Sequence, residues 1–229
     1  MTAKAPFPSA AAQARAEARA LSAAQLLLRL RSKGFRDVNL LRAMEAAPRE
    51  NFVGPAQLEQ AMRDIALPLP CGQTVERPSE LALALAALSV APHMRVLEVG
   101  TGSGWSAAVL SGLARDVVSL ECFESLARAA RERLERLGVG NVAVIWADGA
   151  EISPALGLFD RIVVHGAFDA PPPHLLGALG EGGALIAARG ETGKMQRLLY
   201  RRLPGDRIAT DLLGPCRAQT LLRGLFRAC

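Results

Sequence analysis

An α/β fold built on a doubly wound, mostly parallel sheet is predicted by three features of the sequence. After Pro92, short β-rich runs alternate with helical segments, the rhythm of parallel βαβ units. A glycine-rich turn joins the first of these strands to the helix that follows. Half of the 229 residues are hydrophobic and 21% are charged, a globular composition that can bury a core.

The first element is a helix over Ala10–Ser32, where Leu21, Gln25 and Leu28, then Leu26 and Leu30, recur at the three and four spacing of a buried face. Gly34 stops it. A second helix runs from Val38 to Ala46 with Leu40, Leu41 and Met44 apolar, and ends before Pro48. The two form an N-terminal helical cap. Leu67 to Pro78 carries three prolines and a glycine, which exclude regular helix and central strand and leave an extended loop. Ser79 to Ser89 resumes as helix, with Ser79 the expected N-cap. Strands follow at 95–99, 117–121, 142–146 and 160–165, interleaved with helices at 105–113 and 125–137. A helix over 173–179, a turn at Glu181-Gly182-Gly183 and a strand over 184–188 come next. Segments 196–203 and 207–213 flank Pro204-Gly205-Asp206 and read as a C-terminal β-hairpin.

The net charge of +5 is unevenly spread. Residues 1–36 hold seven basic side chains against Glu17 alone, so the rest of the chain is close to neutral. No basic patch is interleaved with aromatics, and no nucleic-acid partner is expected. The basic, Ala-rich start also has the composition of a transit peptide, but it runs on into an apolar, periodic helix. The longest apolar run, Leu81 to Pro92, is broken by Ser89 and falls short of a membrane span. The four cysteines lie far apart with no Cys-x-x-Cys pair, which suggests neither a zinc site nor a disulfide scaffold, and no metal. A reducing cytoplasm is the expected location.

The chemistry concentrates at Glu98-Val99-Gly100-Thr101-Gly102-Ser103-Gly104-Trp105, a strand that enters a glycine turn and opens a helix. A dinucleotide fingerprint needs its third glycine where Trp105 stands, so the spacing argues against pyrophosphate binding. With an acid two positions before the first glycine, the run resembles the first motif of S-adenosylmethionine-dependent methyltransferases, a Rossmann-like class I fold. Glu98 suits the ammonium of that cofactor's methionine end, and the N–H groups of the turn suit its carboxylate. Glu121, followed by Cys122, ends the second strand 19 residues after Gly102, the place for an acid that accepts ribose hydroxyls. Asp148-Gly149 follows the third strand and is placed to meet the adenine amino group.

The run Glu98 to Ala108 resembles the protein-L-isoaspartate O-methyltransferase family, whose motif reads Glu-x-Gly-Thr-Gly-Ser-Gly-Tyr followed by Ala-Ala. Pro48-Arg49-Glu50-x-Phe52-Val53, Asp64-x-x-Leu67-Pro68-Leu69, Gly72-Gln73-Thr74-Val75 with Pro78, Phe159-Asp160-Arg161-Ile162 and Glu181-Gly182-Gly183 agree with it. The resemblance spans roughly residues 38–215. It implies S-adenosylmethionine as cofactor, proteins or peptides with damaged aspartyl residues as substrate, and an acceptor site near Thr74. Residues 1–90 would then supply the helical cap and a substrate-side loop, and residues 91–229 the cofactor-binding domain with its hairpin, as one compact unit.

Three departures fall on the acceptor side. Where the family has a serine after Gln-Thr-Val, this chain has Glu76. Where its fourth strand leads into Ala-Ala-Ala-Pro, this chain reads His165-Gly166-Ala167-Phe168-Asp169-Ala170-Pro171, and the segment from Cys216 to Leu221 lacks the family's ending. An ionised Glu76 facing the acceptor would repel a substrate carboxylate, unless Arg77 offsets it or Glu76 accepts a substrate amide proton instead. His165, at the end of the fourth strand, opens a second reading, a general base for a hydroxyl or amine acceptor. A third is a cofactor-binding scaffold without turnover that docks a partner through the basic N-terminal helix.

Overall fold

A computed structural model describes residues 10–191 and 193–227. Two helices, α1 (Ala10–Ser32) and α2 (Val38–Ala46), precede a loop that holds the short antiparallel pair β1 (Leu67–Pro68) and β2 (Thr74–Val75). Next come α3 (Pro78–Leu88), β3 (Arg95–Val99), α4 (Trp105–Ser111), β4 (Asp116–Glu121), α5 (Glu124–Arg136) and β5 (Val142–Trp146). The chain continues through β6 (Phe159–Phe168), α6 (Pro173–Gly177), β7 (Leu179–Arg189), β8 (Gln196–Arg202) and β9 (Ile208–Pro215).

The main sheet has the order β5-β4-β3-β6-β7-β8-β9. The first five are parallel, and β8 and β9 add an antiparallel edge. The chain leaves β3 toward β4 on one side and later returns to β6 on the other. That reversal opens a crevice beyond the C-terminal ends of β3 and β6, where ligands of doubly wound folds bind.

Both sheet faces are covered, so the central strands read as nearly continuous apolar runs. On one face Val96, Val117, Val163 and Ile186 pack with Leu81, Leu85, Trp105 and Leu110 of the helices. On the other, Leu97, Leu120, Ile162 and Leu185 pack with Phe159 and Leu175. Adjacent residues of β3 thus serve opposite layers, as the period of two requires. No described helix is long and apolar enough to cross a membrane.

Three local expectations are corrected. In α1 only Leu26 and Leu30 of the anticipated face are buried, while Leu21 and Leu28 are exposed, because the helix touches the body along one narrow stripe. Ser79 does not cap α3. That helix starts at Pro78, and the Asp64 carboxylate accepts the Ser79 N–H at 2.9 Å instead. The turn at 181–183 lies inside β7, whose pairing with β6 shifts from Phe159↔Leu179 to Arg161↔Ala184, an irregularity that absorbs the extra residues.

Candidate active site

After β3 the chain passes Gly100, Gly102 and Gly104 at φ of 95°, 53° and 85°, values that favour glycine. A Cβ on Gly100 would lie 3.3 Å from the His165 Cβ, and one on Gly102 would lie 3.3 Å from Leu69 Cδ1. The turn is therefore pressed between β6 and the Leu67–Pro78 loop. Above it lies a cavity of about 1080 Å³, larger than the usual ligand pocket.

The predicted acids take three different positions. Glu98 is fully buried beneath the turn; Ser119, its direct neighbour on β4, donates to Oε2, and His165 Nε2 lies 3.1 Å from Oε1. The Thr101 hydroxyl meets Ser119 at 2.5 Å. Glu121 lines the cavity, with Gly102 N–H donating to Oε2 at 2.8 Å and Phe123 N–H to Oε1 at 3.0 Å. Asp148 stands outside the lining, its Oδ1 taken by Ala150 N–H and its Oδ2 by Gly224 N–H of the C-terminal segment.

Cys122, Gly149, Thr101, Ser103, Trp105 and Thr74 line the cavity, whereas Gly104 does not. Burial, followed by the Glu121 charge, pushes the Cys122 thiol up to about 12, so it stays protonated beside that carboxylate. Gly149 fits because a Cβ there would sit 2.2 Å from Val99 Cγ1. The Trp105 indole is turned into the cap, donating to the Ala47 carbonyl at 2.9 Å beneath the Arg49 guanidinium. Ser103 accepts the Trp105 N–H at 3.3 Å. Thr74 Oγ1 lies 3.4 Å from Gln219 Oε1, and Gln219 donates back to the Gly72 carbonyl at 2.8 Å. Among the described residues Cys122 and Cys216 are free.

At the far end, His165 Nδ1 lies 3.1 Å from Glu76 Oε2, and its Nε2 lies 3.0 Å from Ser106 Oγ as well as facing Glu98. Its place in β6 coincides with the register shift between Val163 and Ala167, and such irregularities re-aim side chains. Arg197 of β8 reaches Glu76 Oε1 at 3.1 Å and Glu80 Oε2 at 2.9 Å. Burial would lower the His165 pKa, but hydrogen bonds and charge from Glu76 and Glu98 overcome it and push it up to about 10. For Glu76, burial acts upward, yet His165 and then Arg197 hold the carboxyl below its ordinary range. Among the described residues no cluster of His, Cys, Asp or Glu is arranged to hold a metal ion.

The family model for protein-L-isoaspartate(D-aspartate) O-methyltransferase matches residues 21–217. The chain belongs to this family. Among its relatives, the protein-L-isoaspartate O-methyltransferases of Rhodopseudomonas palustris strain BisA53 and Bradyrhizobium sp. strain BTAi1 are 46% and 42% identical over 200 residues, each covering 87% of this chain and 93% of its own length. A solved protein-L-isoaspartate O-methyltransferase superposes with a TM-score of 0.80 at 27% identity, over 89% of this chain and 67% of its own. A Plasmodium falciparum chain described as the same enzyme, solved in complex with S-adenosyl-L-homocysteine, shares the fold with a TM-score of 0.75 at 24% identity, over 86% and 97% of the two chains.

Against the isoaspartate methyltransferase pattern, two of the three departures touch each other: Glu76 and His165 form one ion pair. Glu76 is thus not the bare charge expected at the acceptor, and its partners come from β6 and β8 rather than from Arg77 beside it. The sequence reading missed Arg197 and Ser119. Ser119 carries a signal, a polar residue inside the apolar run of β4, whereas Arg197 stands among other polar residues at the start of β8 and carries none.

Proposed function

We propose that the protein is an S-adenosylmethionine-dependent protein carboxyl O-methyltransferase that esterifies the free carboxylate of isoaspartyl residues, a protein-repair reaction. Family membership supplies the reaction class. The observation that carries the acceptor class is the engagement of the candidate base at the acceptor end: each ring nitrogen of His165 faces a carboxylate, which favours its protonated form, and Glu76 is itself paired with His165 and Arg197. A carboxylate is already an anion at neutral pH and has no proton to lose, unlike a hydroxyl or an amine. The reading of His165 as a general base is accordingly set aside.

The residues fit the cofactor on their own chemistry. Each oxygen of Glu121 accepts one backbone N–H, which leaves lone pairs for two adjacent ribose hydroxyls. Glu98 lies beneath the turn and outside the cavity lining, its oxygens engaged by Ser119 and His165. The N–H groups of Gly100, Thr101, Gly102 and Gly104 already donate within the protein, so the turn offers the cofactor close backbone approach rather than a row of free donors. Asp148 stands outside the cavity with one N–H on each oxygen, so a contact with the adenine amino group would require the Gly224 segment to move aside. The bound cofactor supplies a methyl group activated on a sulfonium. The chain then has to align the acceptor oxygen with that methyl and exclude water, so positioning provides most of the acceleration. The Leu67–Pro78 loop and the segment from Cys216 to Leu222 wall the cavity for that purpose.

The test is transfer of tritiated methyl to an isoaspartyl peptide beside its normal aspartyl twin. Label should enter the isoaspartyl peptide alone and leave as methanol in mild base. Equal labelling of the twins, or a base-stable product, would overturn the reading.

A further inference from the structure

Five ionisable side chains, one from the loop before α3 and one each from α3, β3, β6 and β8, meet at the acceptor end of the crevice: Glu76, Glu80, Glu98, His165 and Arg197. Ser106 is the remaining polar group on His165. Nδ1 faces the Glu76 carboxylate and Nε2 faces Glu98. A carboxylate accepts hydrogen bonds and does not donate, so a neutral ring would turn one nitrogen lone pair toward a carboxylate, even with the Ser106 hydroxyl donating to Nε2, whereas a ring with both nitrogens protonated donates to both acids. In that state His165 has no lone pair for proton abstraction and bears a fixed positive charge. Arg197 cannot replace it, because its guanidinium is shared between Glu76 and Glu80 and its other amino group donates to the Glu80 carbonyl at 2.7 Å.

The cluster so protonated holds three negative charges and two positive ones. We propose that His165 is a positioning residue that, together with Arg197, screens the Glu76 carboxylate and so lets the acceptor end admit an anionic substrate group. The inference rests on the carboxyl methyltransferase reading above. Glu98 is buried beneath the turn, so the members that line the cavity are Glu76, Glu80, His165 and Arg197. Loss of the imidazolium charge leaves Glu76 on an already shared arginine and takes that lining from balanced charge to one net negative charge facing an incoming carboxylate. Gly100 serves the same arrangement, since a side chain there would press on the His165 Cβ and move the ring from between the two acids.

His165→Gln should raise KM for the isoaspartyl peptide tenfold or more while kcat changes less. Adding Glu76→Gln in that background removes the unscreened charge and should bring KM back to within about threefold of wild type. A general base would show the reverse: a loss concentrated in kcat, a slope in the pH–rate profile, and no rescue by Glu76→Gln. A purely architectural role would show no rescue either, and each of these results overturns the proposal. Nitrogen NMR of the His165 ring separates this failure from failure of the functional reading. Both ring nitrogens protonated at pH 8 without methyl transfer would sink the functional reading and leave the charge state standing, whereas a neutral ring at pH 8 sinks the inference whatever the activity.

Discussion

His165 joins stability to function through one proton. Its ordinary pKa of 6.5 rises to about 10 in the fold, so the native state holds a proton that the unfolded chain releases. The sign follows from linkage: the stabilisation is fully present below pH 6.5 and is lost as pH climbs from 6.5 through about 10. Cys122 adds to alkaline loss only above its ordinary value of 9.0, which leaves the interval from 6.5 to 9 to His165. Glu76 acts on the other side, contributing above its ordinary 4.5 and losing that contribution as pH falls through its lowered value. Urea unfolding at pH 6.5 and at pH 9 should show wild type losing on the order of 3 kcal/mol at most, while His165→Gln shows a flatter profile. Identical slopes for the two proteins would refute the assignment.

At the scale of elements, the segment from Ala61 to Glu76 is organised by Arg49. The side chain is fully buried, and its Nη2 donates to the carbonyls of Ile65, Val75 and Glu76 at 2.9, 3.0 and 2.7 Å. Its Nη1 reaches the carbonyls of Ala61 and Arg63, and the guanidinium stacks over Trp105. Burial lowers its pKa to about 10, against the opposing pull of Asp64 and Glu76. The four terminal N–H donors of a planar guanidinium suit this role, although the buried Nε has no hydrogen-bond partner, and a lysine would satisfy fewer carbonyls. Arg49→Leu should cost about 3 kcal/mol or more, because buried acceptors are left unpaired. It should also lower kcat/KM, since the Glu76 backbone loses its anchor. Thermal denaturation and peptide kinetics check both, and a loss below about 1 kcal/mol would show that the carbonyls find other partners. The motif around Arg49 is plain in the sequence, but its five partners span residues 61–76 and are legible only once the loop has folded around it.

For the whole molecule, one apolar cluster runs from Leu26 and Leu40 of the cap through Leu81, Trp105 and Val163 to Leu199 of the last hairpin. The boundary near residue 90 therefore cuts through packed side chains. A chain built this way should unfold in one cooperative step. Tryptophan fluorescence, which reports Trp105 and Trp146, and far-ultraviolet circular dichroism should give superimposable transitions. A separate early transition of the cap would show that residues 1–90 fold as an independent unit.

Local pattern determined much about this protein, because the signals involved are short in range. Short β-rich apolar runs placed β3 to β6, the glycine spacing placed the turn, and an acid at a strand end needs only that strand to be recognised. Family motifs from Pro48 to Glu181 are likewise contiguous words. Tertiary structure alone decided how the acids differ: Glu98 lies beneath the turn, Glu121 faces the cavity and Asp148 turns to Gly224. It also decided that Glu76, His165 and Arg197, 89 and 32 residues apart in succession, share one charge cluster. The physical reason is that a charge is defined by its partners. A carboxylate that reads as repulsive beside its sequence neighbours becomes a screened group when β6 and β8 bring it two cations, and no local pattern encodes that approach.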